Sequence, residues 1–528
     1  MGNIKITKMR IKNSYRVLFI LFILCLLFLK TDFRLKNEIL CCSDDYAYWL
    51  HAQTIAIDLD FDYSNQNVGS WKYTKFNKNT PIGFIGTGFL SAPFLFLGSI
   101  LNNLIENSSN ILYNFKILLY SFAPIFYYFF SISLIFSSLK KLNIHTQKIY
   151  LLIIFSGSGL TYFAFERYSM SHVYEVFTIS LLIYSTIKFY LNENKNFSIF
   201  LIMLSLFLSY ITRMSNVFIF LIPLIIKNIL KDKNIASQKS LLKEKYFYFN
   251  FFLYFFIFYK LQRALYGKLI FNPQEIYGSN IEVASSMLEN NLIDSIISLI
   301  KSFFIIFFSF EFGLLWVSPI IFLGFFCIFL VNKKLSNFTK FLFLICYFQL
   351  LGIVHIWQTQ ASSYGFRYLF ALTPLSIILF YLCFEKNKIV KNILLSLSIF
   401  SNIAILFFET TPMTQLSLSP QMNLFGKTIR YVEPDYVLGV IKSLINIESY
   451  LIVFSTSFLG LIFFKIAILI LGTNGFINLL DNFKLPIENE DFLLLLSKTE
   501  IISSYKLLLS CVLLIFPIYF YLNWDRSK

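Results

Sequence analysis

Long apolar runs follow one another along nearly the whole chain. The first is Val17 to Leu29; others lie near 82–101, 113–139, 149–165, 173–191, 197–212, 216–230, 246–266, 317–332, 339–356, 368–384, 392–409, 450–470 and 506–522. A helix needs roughly 20 apolar residues to cross a bilayer, and only helices and closed barrels satisfy their own backbone in lipid. Composition agrees: 57% of the 528 residues are apolar and 14% are charged, where a soluble domain carries about 25% charged residues. A soluble enzyme is excluded, and so is a disordered chain, which needs low hydrophobicity and dense charge. The expectation is an all-α polytopic membrane protein of about 13 transmembrane helices, with outer-face loops and juxtamembrane helices.

Charge orders these runs. Lys5, Lys8, Arg10, Lys12 and Arg16 precede the first run, and no small-residue cleavage site follows it, so it reads as an uncleaved first span with a cytoplasmic N-terminus. The loops around 140–148, 188–195, 227–245, 333–340 and 386–391 are rich in lysine. All of them face the cytoplasm if the run at 82–101 does not cross, and the connector Asn102–Asn110 holds Glu106 and no basic residue. That run therefore reads as a re-entrant or juxtamembrane outer helix. Residues 1–410 form one transmembrane module with a first outer loop at 31–112, and 411–528 add an outer loop and the last helices. The net charge of +16 belongs to this alternation and is not a nucleic-acid footprint. A multi-pass protein of the bacterial inner (plasma) membrane is expected, with its site on the outer, periplasmic face.

Polar clusters collect beside the outer ends of the runs, where ionisable groups are costly and mark function. Adjacent carboxylates occur in Ser43-Asp44-Asp45-Tyr46; their repulsion can keep one proton affinity high enough for a base, while capping a helix start is the plainer use of such a pair. Asp58, Asp60 and Asp62 have a calcium-loop spacing, but Tyr63 and Gly69 stand where that loop needs glycine and glutamate, so a structural turn is expected. Lys78 precedes Pro81-Ile82-Gly83, and Glu166-Arg167 is followed closely by His172 and Glu175. Gly313-Leu314-Leu315-Trp316-Val317-Ser318-Pro319 reads as architectural. Tyr364-Gly365-Phe366-Arg367-Tyr368-Leu369 brings an arginine to an apolar run, where its planar fork suits a phosphate or simply snorkels. Five of the seven cysteines sit in apolar runs as packing residues, and the adjacent Cys41 and Cys42 have neither disulfide nor metal spacing.

In this order the clusters resemble the multi-spanning glycosyltransferases of the GT-C superfamily, among them protein O-mannosyltransferases and lipid A aminoarabinose transferases, over about residues 17–410. The resemblance rests on the acidic pair, the Pro-Ile-Gly segment, Met170-Ser171-His172 with Glu175, Gly313 to Pro319, and Ser363 to Leu369. It implies an inverting transfer of a hexose or pentose from a polyprenyl-phosphate donor to a hydroxyl of a glycan, lipid or protein. Asp44 or Asp45 would be the catalytic base. Glu166, His172 and Glu175 would form a second acidic or polar site, and Lys78, Arg167, Arg367 and Tyr364 would meet the donor phosphate. No cofactor and no nucleic-acid partner is implied, and a divalent metal stays open. The chain departs from many relatives in having Phe366 where a proline precedes the last arginine, and in lacking the soluble C-terminal domain that some carry. A lipid-linked-sugar transporter or flippase and a polysaccharide polymerase or ligase are the alternatives. A transporter would be expected to carry polar groups near the midplane of several spans.

Overall fold

The computed structural model describes residues 29, 43–69, 72–105, 115–235, 240–277, 292–310, 312–330, 335–357, 364–407, 423–424, 427–428, 436–483 and 504–524. The main helices are α1 (Ser43–Gln53), α2 (Ile85–Ile105), α3 (Phe115–Lys141), α4 (Lys148–Ser156), α5 (His172–Tyr190), α6 (Lys195–Thr212), α7 (Ile222–Asp232), α8 (Lys245–Tyr266), α9 (Leu292–Phe308), α10 (Pro319–Leu330), α11 (Asn337–Trp357), α12 (Thr373–Phe384), α13 (Lys388–Leu406), α14 (Tyr436–Ile445), α15 (Ile447–Thr456), α16 (Phe458–Phe483) and α17 (Ser504–Asn523). The strands β1 (Lys72–Tyr73) and β2 (Thr80–Pro81) pair antiparallel, with Lys72 opposite Pro81.

This is an all-α chain with helices suited to a membrane. Among the described residues, eight helices are long and apolar enough to cross one, fewer than the expected count of about 13 spans. The first expected span, Val17 to Leu29, lies almost wholly outside the described residues. The other differences have local causes. The run at 149–165 divides into α4, a turn through Gly157 and Gly159, and a π-helical turn at Tyr162–Glu166. The run at 216–230 opens with a 3₁₀ segment, Val217–Leu221, before α7, whereas the run at 368–384, which opens with the 3₁₀ segment Arg367–Leu372 before α12, is one of the eight. In α5 the polar His172, Glu175 and Lys188 dilute an otherwise apolar helix, as Tyr, Asn and Lys do in α8.

The core is built around α3, which is buried over most of its surface. Tyr127 of α3 packs at a tilt against Phe177 of α5 with ring centroids 4.6 Å apart, and its hydroxyl donates to the Leu90 carbonyl of α2 at 2.9 Å. Serines inside these helices donate to the carbonyl one turn back, as Ser131 does to Tyr127, Ser133 to Phe129 and Ser138 to Leu134. That arrangement gives these three hydroxyls a partner in a dry interior. Phe370 sits against two glycines with positive φ, Gly159 (+79°) and Gly365 (+66°); a Cβ at either would come within 2.7 or 3.1 Å of its ring. The last helix, α17, closes on α3 where the Trp524 indole donates to Ser137 Oγ at 2.7 Å and Lys148 Nζ donates to the Leu522 carbonyl at 2.9 Å.

The bundle has two chemically distinct ends. At one, Lys141 pairs with Glu193 at 2.5 Å, Lys195 pairs with Glu244 at 2.6 Å, and Lys233 Nζ donates to the Leu142 carbonyl at 2.7 Å. The other end carries α1, the β1–β2 hairpin and the arginines described below. Helix α2 runs antiparallel along the first half of α3, since Asn102 Oδ1 accepts from the Phe115 amide at 2.7 Å while Leu90 meets Tyr127. Its start is fixed by close approach: a Cβ at Gly86 would lie 2.4 Å from the Thr212 amide, and one at Gly88 2.6 Å from His51. By length and composition α2 is itself one of the eight helices able to cross a membrane, where the sequence reads this run as a re-entrant or juxtamembrane outer helix.

In a background without native cysteines, Asp60→Cys and Asn234→Cys are expected to react with an impermeant thiol reagent from opposite sides of the membrane. Labelling of both from one side would refute the two-ended arrangement.

Candidate functional site

Two acidic residues open α1, and the structure gives them different surroundings. Asp45 is 1% exposed. Its Oδ2 accepts from Arg167 Nε at 3.1 Å and Nη2 at 3.0 Å. Ser169 Oγ, itself hydrogen-bonded to the Tyr120 hydroxyl, donates to the Asp45 carbonyl at 2.7 Å. Burial pushes the Asp45 carboxyl up to about 6, against the downward pull of the Arg167 guanidinium. Asp44 is only half buried. Tyr48, one turn further on, lies buried among the charges of Asp44, Arg213 and Glu175.

Helix α1 is held in place by His51. Its Nε2 donates to the Gly83 carbonyl at 3.3 Å and its Nδ1 accepts from the Tyr63 hydroxyl at 2.6 Å, the tautomer that satisfies both partners. Burial holds the imidazole down at about 4, so it is neutral and purely a hydrogen-bonding bracket near pH 7.

A second ion pair lies at the start of α5. Glu175 Oε1 is 2.8 Å from Arg213 Nε and accepts from Ser171 Oγ at 2.7 Å, and Oε2 accepts from Asn216 Nδ2 at 3.1 Å. Arg213 Nη2 also donates to Ser171 Oγ at 2.9 Å. The Arg213 guanidinium stands 4.4 Å from the centre of the Tyr368 ring, and Arg367 stands 5.7 Å from the same ring. His172 is 1% exposed, packs edge-on against Phe163 and lies 3.5 Å from Glu175 Oε1.

Arg367 differs from the other two arginines. It is 8% exposed, and among the described residues it makes no ion pair and no hydrogen bond; its Nε is buried without a partner. Its charge is nevertheless felt at Asp45 and at His172. A buried cation needs a counter-charge, and among the described residues this one has no carboxylate hydrogen-bonded to it.

The structure thus gathers Asp44, Asp45, Arg167, His172, Glu175 and Arg367 at one end of the bundle. Glu166 is buried on the adjoining π-helical turn. Tyr364 is fully buried, stacked on Tyr162 at 5.0 Å and edge-on to Phe312. Lys78 is not brought to the arginines; it lies near the exposed Asp62 carboxylate. Arg213, Asn216 and Ser171 also belong to the polar network, and neither Arg213 nor Asn216 is singled out from the sequence. The signal was one charge between two apolar runs. Among the described residues no three His, Cys, Asp or Glu side chains come together as metal ligands.

No protein-family profile, no curated protein and no solved structure matches this chain.

Two measurements test the Asp45–Arg167 pair. Arg167→Met strands a buried carboxylate and should destabilise the chain by about 3–5 kcal/mol; adding Asp45→Asn should recover part of that loss in thermal unfolding. A double-variant loss equal to the sum of the two single losses would show that the two do not interact. Because the Asp45 carboxyl is raised from 3.8 to about 6, its stabilising contribution is full below pH 3.8 and lost as pH rises through about 6. The Tm of the native chain minus that of Asp45→Asn should therefore fall across this window.

Proposed function

We propose that the chain is a membrane glycosyltransferase of the GT-C kind, moving a sugar from a polyprenyl-phosphate donor to a hydroxyl acceptor with inversion. The observation that carries this reading is the buried Arg367 guanidinium, which among the described residues has no hydrogen-bonded carboxylate, beside two arginines already neutralised by Asp45 and Glu175. Such a centre suits one added anion, and a donor phosphate supplies it.

Each group then has a role. Arg367 holds the phosphate with its fork of donors. The acceptor hydroxyl attacks the anomeric carbon from the face opposite the phosphate and passes its proton to Asp44, the half-buried carboxylate open to an incoming substrate. The bond from that carbon to the phosphate oxygen breaks, and polyprenyl phosphate leaves with its charge met by Arg367. Asp45 is a positioning residue, committed to Arg167. The lysine-rich end faces the cytoplasm, so transfer takes place on the outer face.

Transfer of radiolabelled sugar from polyprenyl phosphate in membranes tests this. Asp44→Asn should lower the rate by about 10²–10⁴-fold, the usual contribution of a general base. Arg367→Lys should weaken donor binding while the protein still inserts. Near-normal transfer by the Asp44→Asn, Asp45→Asn double variant would refute the chemistry and favour a lipid-linked-sugar transporter.

A further inference from the structure

A groove between α6 and α8 lies outside the network just described. Its volume is about 410 Å³, within the range of about 300–1,000 Å³ where small-molecule sites fall, and its walls are aliphatic and aromatic. Leu206, Tyr254 and Phe258 form a buried floor, while Val217, Phe251 and Phe271 are 54%, 44% and 55% exposed along its open side. The rings interlock: Tyr210 meets Phe258 at 5.5 Å and Phe258 meets Phe271 at 6.1 Å. The Tyr210 hydroxyl donates to the Phe271 carbonyl at 3.5 Å, which closes the groove at the site-bearing end of the bundle.

Cations lie at the adjoining C-terminal end of α8. Arg263 lies on the last turn of α8, its guanidinium 6.0 Å from the Tyr259 ring. Lys268 follows the α8 cap at Gly267, and its ammonium lies 5.9 Å from the ring of Phe76. Phe76 sits at the tip of the β1–β2 hairpin beside Lys75, is 60% exposed and has φ +58°, an uncommon conformation for a bulky residue. A Cβ at Gly267 would lie 2.7 Å from Phe76 Cβ, so the hairpin tip is seated on the end of α8. Among Lys75, Arg263 and Lys268 the sole ion pair among the described residues is Lys268–Glu275.

We infer that this groove seats an acyl chain of an anionic phospholipid from the leaflet on the site side, with its phosphate on the Lys75–Arg263–Lys268 rim. An apolar channel opening sideways from membrane helices, capped by net positive charge at headgroup level, has the two-part complementarity such a lipid needs. A substrate lipid is the poorer fit. The nearest site arginine along α6, Arg213, is engaged by Glu175, Ser171 and the Tyr368 ring.

The test is native mass spectrometry of the full chain released from nanodiscs holding equal phosphatidylglycerol and phosphatidylcholine. Phosphatidylglycerol should be retained in preference. The triple variant Lys75→Glu, Arg263→Glu, Lys268→Glu should cut its retention by about tenfold or more. Val217→Trp, which narrows the groove from its exposed wall without disturbing the core, should do the same. Lys386→Glu with Lys388→Glu, at the opposite end, should change nothing. Equal retention of the two lipids, indifference to Val217→Trp, or one-for-one displacement of phosphatidylglycerol by added polyprenyl phosphate would each overturn the assignment. No step of the assay depends on sugar transfer, so its outcome is separate from that of the transferase reading.

Discussion

In hydrocarbon every backbone N–H and C=O has to find a partner within the chain, because no water is there to supply one. That constraint explains both the helices of this bundle and the places where they stop. Serines deep in α3 turn back on their own helix. Irregular backbone, namely the π-helical turn at Tyr162–Glu166, the bend at Arg213–Asn216 and the 3₁₀ segment from Arg367, lies at the polar end. There the side chains of Ser171 and Asn216 both donate to the Glu175 carboxylate, so the polar groups of the breaks partner one another where lipid cannot. The breaks and the charges occur together because each makes the other tolerable.

The membrane class was legible from the apolar runs, since length and composition alone dictate it. Where the runs break was less so. Gly157 and Gly159 sit inside an otherwise apolar stretch, and hydropathy averaged over a window does not register that a positive φ at Gly159 admits the Phe370 ring. The acidic pair and the Glu166–Glu175 stretch were visible as polar islands. That Asp45 pairs with Arg167, 122 residues away, is a matter of tertiary packing that a local pattern does not encode. Nor could spacing separate Asp44 from Asp45; the difference lies in which face of α1 is covered. Lys78 shows the converse, a residue well placed in sequence order whose loop holds it beside Asp62.

The polar network is asymmetric in a useful way. Two guanidiniums are held by carboxylates on different segments, α1 and α5, so the loops bearing Arg167 and Arg213 are pinned before any ligand arrives. The third shares the Tyr368 ring with Arg213. Preorganised charge of this kind needs little rearrangement when an anion binds.

The seating of α17 on α3 bears on how the protein is made. Trp524 reaches Ser137 across 387 residues of chain. At synthesis rates of about 5–20 residues per second, α3 waits roughly 20–80 seconds after emerging before its last partner exists. During that interval the face that α17 will cover is bathed in lipid, and the Ser137 hydroxyl waits for its indole. Enclosure of α3 is therefore completed only once α17 has been made.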